Sequence, residues 1–190
     1  MVSGDLNSLF APESRVWSVG GSILAPIFRG GEISGQVETA LAVRKGDPLL
    51  TVRDEAGLRE ALLASDAIFV PDTKVSTAGI HVAKVLTQLG ITEAVAARLK
   101  IYPNGATAMR HLAASDAARP IGCTQSTEII ATPGIVLSGP LPPGCELKTM
   151  YTAGVNTQAA NAAAAQTLIE LLISADARGL RSRAGFIGGT

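Results

Sequence analysis

The sequence predicts an α/β fold in which mostly parallel strands form mixed sheets flanked by helices. Short apolar runs alternate along the chain with segments whose apolar residues recur every three to four positions. The junctions between these segments contain Gly, Pro, Asn and Asp, which are common in turns. Hydrophobic residues make up 47% of the 190 residues and charged residues only 17%, so the chain can bury a sizeable core. Alternation of this kind is typical of strand–helix–strand units.

The first half of the chain contains two predicted strand–helix pairs. Residues 1–36 are irregular, because Pro26 interrupts the apolar run VGGSILAPIF and proline cannot donate to a sheet ladder. From residue 37 the pattern becomes regular. The stretch QVETALAVRKGDP predicts a strand that ends in a turn, TVRDEAGLREALLAS predicts a helix, and DAIFVPD predicts a short buried strand. Residues 77–89 predict a second helix, which ends at Gly90.

The second half continues the alternation and ends in helices. Strands are predicted in LKIYP, RPIGCTQ, TPGIVLSGPLPPG and ELKTMYTAGV, and a helix that opens at Asn104 is predicted in NGATAMRHLAAS. The alanine-rich TQAANAAAAQTLIELLIS predicts a further helix. The last helix is predicted in SADARGLRSRAGF, with Ser174 as its N-cap and Gly185 after its end.

Composition and cysteine usage exclude several classes of function. Sixteen basic and sixteen acidic side chains cancel, so nothing indicates a nucleic-acid or anionic-membrane partner. Cys123 and Cys145 have no metal-type spacing, and we expect two free buried thiols, with a single disulfide as the alternative. Neither a metal nor a cofactor is predicted, since the nucleotide-binding, GxSxG and HExxH motifs are absent. The chain has no signal-peptide pattern and no apolar run of ~18 residues, which as written predicts a soluble cytoplasmic protein.

Two strand–loop–helix junctions are candidate anion-binding sites. Small and polar residues open both helices: Ser76, Thr77, Ala78 and Gly79 at the first, and Asn104, Gly105, Ala106 and Thr107 at the second. The amide N–H groups of a helix start have no partner within the helix and lie at the positive end of its dipole, so an anion can bind there. The alternative is that Ser76 and Asn104 are ordinary N-caps.

Further polar residues follow the strand RPIGCTQ. Gln125 and Ser126 lie where that strand ends, where they can line the same cleft. Glu128 can act as a base, reject anions, or simply stabilise a helix start. His81 and His111 lie on predicted helices, where a structural role is the commoner one.

Five stretches together resemble the molybdate-type periplasmic solute-binding proteins of bacteria. They are VSTAGIHVAKVLTQLGI, YPNGATAMRHLAAS, RPIGCTQSTEI, YTAGV and AAQTLIELLISADARGLRSRAGF. The resemblance implies two α/β lobes joined by crossing strands, a periplasmic location and an ABC-transporter permease as partner. Residues 37–150 would form the second lobe, 151–190 a return strand and helices that pack on the first lobe, and 1–36 a remnant of that first lobe. Oxyanion ligands would be bound by the N–H groups of Ala78 and of Ala106 or Thr107.

The chain departs from this family pattern in two ways, which leave other functions open. Gln125 stands where the molybdate binders have a tyrosine, so another oxyanion or a carboxylate is an alternative ligand. No counterpart to the two ligand serines of the first lobe is present apart from Ser22. Leu168 and Leu172 would then lack a covering lobe, which predicts a homodimer or marginal stability.

Two rival functions remain. The first is an isomerase of a small di- or tricarboxylate, like the aconitate isomerase on this scaffold, with Glu128, His81 or Tyr151 as the base. The second is a truncated remnant without activity.

Overall fold

The computed structural model describes residues 35–187, which form one mixed sheet with helices on both faces. Its strands are β1 (Gly35–Arg44), β2 (Ala67–Pro71), β3 (Leu99–Tyr102), β4 (Pro120–Gln125), β5 (Ile135–Pro140), β6 (Lys148–Tyr151) and β7 (Phe186–Ile187). Its helices are α1 (Glu55–Ala64), α2 (Thr77–Gln88), α3 (Thr92–Val95), α4 (Gly105–Ala113), α5 (Ser126–Ile130), α6 (Ala162–Ile173) and α7 (Arg178–Arg183). A short 3-10 turn, Ala96–Arg98, follows α3.

The sheet has a parallel part and an antiparallel part. Strands are ordered β3-β2-β4-β1-β5, and β6 and β7 also pair with β1. β3, β2 and β4 run parallel, whereas β1 is antiparallel to each of its four partners. The long strand β1 is therefore the element that joins the α/β part to the C-terminal strands.

Alternation along the strands divides the core into two layers. On β2, Ile68 and Val70 pack with α1 and α2, and Ala67 and Phe69 pack with α4 and α5. A strand buried on both faces reads as a continuous apolar run, which is why the stretch AIFVP has no polar residue. The two helix layers lie on opposite faces because parallel crossovers are right-handed, and the connection from β2 to β3 runs opposite to that from β3 to β4.

This topology brings three strand ends to one edge of the sheet. Pro71 ends β2 opposite Tyr102, the last residue of β3. Phe69 pairs with Gly122 of β4, so Gln125 at the end of β4 is level with Asp72, the first residue after β2. The helix starts that the sequence singles out follow directly from this edge.

The C-terminal helices present apolar side chains to solvent. No residue of α6 or α7 is buried. Leu168, Leu171 and Leu172 on α6 are 40%, 55% and 50% exposed. The apolar patch predicted from the sequence is therefore uncovered within the described residues. No helix between residues 35 and 187 is long and apolar enough to cross a bilayer.

The predicted α/β class with flanking helices is confirmed, with corrections to individual elements. Parallel pairings are the minority of the described ladders, because β1 pairs antiparallel with four strands. The sequence could not show how many strands pair with β1. β6 covers only Lys148–Tyr151 of the longer strand expected there. Ser174 does not begin the last helix: its Oγ accepts from the Ala177 N–H at 3.1 Å in a turn that precedes α7. α3 and β7 were not predicted.

Some predictions lie outside the described residues. Those for residues 1–34, including Ser22, belong to this group, whereas residues 35 and 36 already form part of β1.

Candidate functional site

The loop between β2 and α2 is built around Asp72. Its Oδ1 accepts from the amide N–H groups of Lys74 at 2.7 Å and Val75 at 3.1 Å, and its carbonyl accepts from Ser76 N–H at 3.0 Å. Gly79 lies so close to this loop that a Cβ there would be 2.1 Å from the Asp72 carbonyl oxygen. Glycine at this position therefore allows the first turn of α2 to pack directly on the loop backbone.

The start of α2 has no side-chain cap. Ser76 is the N-cap residue in an extended conformation, yet its hydroxyl makes no capping bond. The amide N–H groups of Thr77, Ala78 and Gly79 belong to the first turn and have no acceptor within the helix. The capping role that was the alternative for Ser76 is therefore not observed, and no side chain among residues 35–187 caps this helix start.

The start of α4 is filled by side chains of the chain itself. Asn104 Oδ1 accepts from the Thr107 N–H at 2.8 Å, so Asn104 is the N-cap that the sequence predicts. Glu128 Oε1 accepts from the Ala106 N–H at 3.2 Å. The two junctions that look alike in sequence thus differ in structure: an internal carboxylate already occupies the second.

A tight contact fixes the Glu128 carboxylate in this position. Thr124 Oγ1 donates to Glu128 Oε2 at 2.5 Å. A Cβ on Gly105 would lie 2.0 Å from both of these oxygens, so glycine is needed to keep the Glu128 carboxylate in this place. A ligand at Ala106 or Thr107 would have to displace Glu128 or Asn104, and that part of the predicted ligand set stays a prediction.

Gln125 and Tyr151 form a hydrogen-bonded pair beside Glu128. The Tyr151 hydroxyl donates to Gln125 Oε1, and its ring meets Phe186 edge-on at 6.1 Å. Tyr151 is opposite Gly35 on β1, and a Cβ on Gly35 would lie 2.7 Å from the Phe186 ring, so glycine leaves room for that ring. Burial raises the pKa of Tyr151, with the Glu128 charge a smaller contribution in the same direction and the Gln125 bond opposing both.

Two buried hydroxyls in this region have no hydrogen-bond partner among the described residues. They belong to Thr39, which is 1% exposed and pairs with Gln125 across the sheet, and to Thr149 on β6. By strand alternation Thr39 faces the same side as Leu41, which packs with α2. A buried hydroxyl without a hydrogen-bond partner is destabilising by roughly 1–3 kcal/mol, so a polar partner is expected at each of these two positions.

The other residues singled out in the sequence have structural contacts. Ser126 Oγ donates to the Gly185 carbonyl at 3.0 Å and joins α5 to the turn after α7. His81 Nε2 lies 2.8 Å from the Cys145 carbonyl oxygen, and this contact links α2 to the loop before β6. His111 stacks on Tyr102 with ring centroids 4.3 Å apart. The structure therefore brings Gln125, Glu128 and Tyr151 together and gives the histidine rings other partners.

Both cysteines are free and buried, as the sequence predicts, and the alternative of a disulfide is excluded. Burial raises the pKa of Cys123 to about 12. Burial, reinforced by Glu55 and Glu146, also raises the pKa of Cys145. Neither thiol is suited to nucleophilic chemistry.

No described ion pair within residues 35–187 involves the Glu128 carboxylate of the candidate site. The ion pairs there join Arg44 to Asp47, Arg119 to Asp66 and Lys148 to Glu38, so none involves Glu128. No group of three or more His, Cys, Asp or Glu residues in this part of the chain is arranged to hold a metal ion.

The chain also matches a known protein-family model. Residues 35–187 match the model described as bacterial extracellular solute-binding protein. The chain belongs to this family. Its described residues coincide with the matched segment.

Several proteins of known name are similar to this chain. An aconitate isomerase from Pseudomonas sp is 24% identical over 165 residues, which are 83% of this chain and 61% of the isomerase. The periplasmic molybdate-binding protein of Azotobacter vinelandii superposes with a TM-score of 0.60 at 18% identity, covering 84% of this chain and 67% of that one. The sulfate-binding protein SubI of Mycobacterium tuberculosis superposes with a TM-score of 0.59 at 21% identity, covering 82% of this chain and 57% of that one. These two structures show the fold, and this chain spans about three fifths of the isomerase's length.

Sequence reasoning missed three threonines at this edge. Thr124 holds Glu128, and Thr39 and Thr149 carry the orphaned hydroxyls. Thr39 and Thr149 lie inside segments predicted as strands, where a threonine is an ordinary residue, so only the register shows that they share a surface with Gln125.

Proposed function

We propose that this chain contributes one side of a binding site for a small anion, as part of a solute-binding protein that delivers its ligand to an ABC-transporter permease. The proposal assigns residues 37–150 to a ligand-binding lobe and 151–190 to the return segment. The family assignment supports solute binding, and the amide N–H groups at the start of α2 are the donors that we assign to the ligand.

The observation that carries the proposal is the uncapped start of α2. Three first-turn amides, of Thr77, Ala78 and Gly79, lie at the positive end of a twelve-residue helix without a side-chain acceptor. The buried Thr39 hydroxyl, on the same side of the sheet and level with the end of β4, adds a polar group that has no partner among residues 35–187. An oxyanion or carboxylate would satisfy donors that the fold leaves open.

Replacing Thr77 by proline tests this assignment with little disturbance of the fold. Thr77 is the first residue of α2, a position that proline favours, and Ser76 has the extended backbone (φ −83°, ψ 133°) that a residue before proline requires. We expect T77P to retain its unfolding midpoint but to bind anions about 10-fold or more weakly, since a hydrogen bond to a charged group contributes roughly 1.5–3 kcal/mol.

Binding would be measured by calorimetry against molybdate, tungstate, sulfate, phosphate and the aconitates. The matched control is Glu55→Pro, the equivalent position of α1, where Asp54 is also extended. Anion binding that T77P and E55P alter equally would contradict the α2 site.

A second candidate function is proton transfer on a small carboxylate. The resemblance to an aconitate isomerase and the cluster of Gln125, Glu128 and Tyr151 favour it. In this reading Glu128 would remove a proton next to a carboxylate that α2 holds, and Tyr151 would donate to the substrate.

The test is interconversion of cis- and trans-aconitate by the full chain, followed by chromatography. Turnover that E128Q abolishes while binding persists would establish an isomerase. Binding without turnover would establish the carrier.

A further inference from the structure

We infer that Asn104 is a site of spontaneous deamidation, and that two contacts at the start of α4 slow this reaction in the folded chain. The pair Asn-Gly occurs once in the sequence, at positions 104 and 105. Glycine makes the preceding asparagine reactive, because it has no side chain to obstruct the attack of its own amide nitrogen. The inference does not depend on the proposed anion site.

The reaction needs only the chain and water. The Gly105 amide nitrogen loses its proton and attacks Cγ of Asn104, which forms a C–N bond and closes a five-membered ring. The bond from Cγ to Nδ2 then breaks, and Nδ2 leaves as ammonia with the proton that the amide lost. Water opens the ring at either carbonyl and leaves an aspartate or an isoaspartate at position 104. Either product adds a negative charge at the start of α4.

The helix itself leaves the two reacting groups accessible to each other. Asn104 is exposed, so water reaches its side-chain amide. The Gly105 N–H belongs to the first turn of α4 and has no acceptor within the helix. The hydrogen bonds of the helix backbone therefore do not hold the attacking nitrogen, and any protection must come from other contacts.

The first of these contacts is the capping bond of Asn104. Its Oδ1 accepts from the Thr107 N–H at 2.8 Å, and its carbonyl accepts from the Ala108 N–H at 3.0 Å. These bonds fix Asn104 in an extended conformation, with φ −154° and ψ 168°. Closure of the ring requires Cγ to swing onto the Gly105 nitrogen, with ψ rotated away from this value. The cap must therefore open before the reaction can proceed.

The second contact is with the Glu128 carboxylate. A Cβ on Gly105 would lie 2.0 Å from Glu128 Oε2, so this oxygen lies against the Gly105 backbone. Bonds from the Ala106 N–H and the Thr124 hydroxyl hold the carboxylate there, and no ion pair described between residues 35 and 187 involves it. The attack passes through a deprotonated Gly105 nitrogen, and a negative charge beside it disfavours that anion. Glu128 therefore slows the attacking step.

The experiment compares the folded full chain with the free decapeptide IYPNGATAMR at pH 8 and 37 °C. Trypsin cleaves after Lys100 and Arg110, so the same peptide is recovered from the aged chain for mass spectrometry. An unaged sample corrects for deamidation during digestion. We expect Asn104 to react at least about 10-fold more slowly in the folded chain than in the decapeptide, since the α4 start must first open locally.

Two variants of the full chain test the role of the carboxylate. Glu128→Gln keeps the size of the side chain and an acceptor for the Ala106 N–H but removes the charge, and it should react at least about threefold faster than the wild-type protein. The matched control is Glu93→Gln, which removes a first-turn carboxylate from α3 and should leave the rate at Asn104 unchanged.

The chain also contains internal controls for the chemistry. Asn156 precedes Thr157 and Asn161 precedes Ala162, so in the urea-unfolded chain Asn104 should react at least about 10-fold faster than either. An unfolded chain in which the three react alike would overturn the assignment of the site. A folded chain that reacts as fast as the decapeptide would overturn the protection, and equal rates in E128Q and the wild-type protein would overturn the role of Glu128. If E128Q does not fold, the wild-type chain and the decapeptide decide the question.

Discussion

Replacing Gly105 by alanine should destabilise the protein by breaking the Glu128 contacts at the α4 start. The new Cβ would lie 2.0 Å from Glu128 Oε2 and from Thr124 Oγ1, more than 1 Å inside ordinary contact. Since the carboxylate is the end of a flexible side chain, we expect it to rotate away and lose its bonds to the Ala106 N–H and the Thr124 hydroxyl.

The size of the effect follows from these two bonds. Hydrogen bonds to charged groups contribute roughly 1.5–3 kcal/mol each, water replaces part of that, and alanine itself favours a helix by roughly 0.5–1 kcal/mol. The net loss is about 2 kcal/mol, which lowers the Tm of a chain of this size by about 4–8 °C.

Gly57→Ala is the matched control for this substitution. Gly57 also lies in a first helical turn, and neither glycine has a positive φ, but a Cβ on Gly57 would meet only Asp54 Oδ1 at 3.4 Å and Val52 Cα at 4.0 Å, which are ordinary contacts. We expect G57A to be neutral or to stabilise by up to about 1 kcal/mol.

Urea unfolding of both variants, and of G105A combined with E128A, measures these energies. If the reasoning is right, G105A loses at least about 1 kcal/mol less in the E128A background than in the wild-type protein. A G105A variant as stable as G57A, or a loss that E128A leaves unchanged, would refute the account of Glu128 as a group held in a glycine-sized space.

Three further predictions follow from the described contacts. Asn104→Ala should lower the free energy of unfolding by about 1 kcal/mol, whereas Ser76→Ala should change it by less than about 0.5 kcal/mol, since only Asn104 makes a capping bond. Equal losses of the two variants in urea titrations would contradict this difference. The free energy of unfolding should fall as pH rises from the ordinary thiol pKa of 9.0 towards about 12, because in that interval only the unfolded state loses the Cys123 proton. In Cys123→Ala, the free energy of unfolding should fall less steeply with pH in that interval and change as in the wild-type protein below it. The same dependence on pH in both proteins throughout would count against a buried thiol as the cause. The exposed leucines of α6 predict self-association of the protein, and Leu168→Glu combined with Leu172→Glu should reduce it in sedimentation velocity. Little stability should be lost, because both leucines are at least 40% exposed. An association state that does not change would show that α6 is not the contact surface.

The sequence by itself determined the local elements and the places where chemistry was to be sought. Apolar periodicity located α1, α2, α4 and α6, and residue types identified Asn104 as a cap and Cys123 as a buried thiol, since these features depend on neighbours within a few positions.

Only the tertiary structure decided which of these residues act together. Register across β1 aligned Thr39 with Gln125 and Gly35 with Tyr151, pairs separated by 86 and 116 positions (125 − 39 and 151 − 35). The two helix starts, alike in sequence, were distinguished by one long-range contact: Glu128 reaches the Ala106 amide of α4, and no side chain caps α2. Such contacts arise from strand order and side-chain direction, and neither is encoded in the residues next to them.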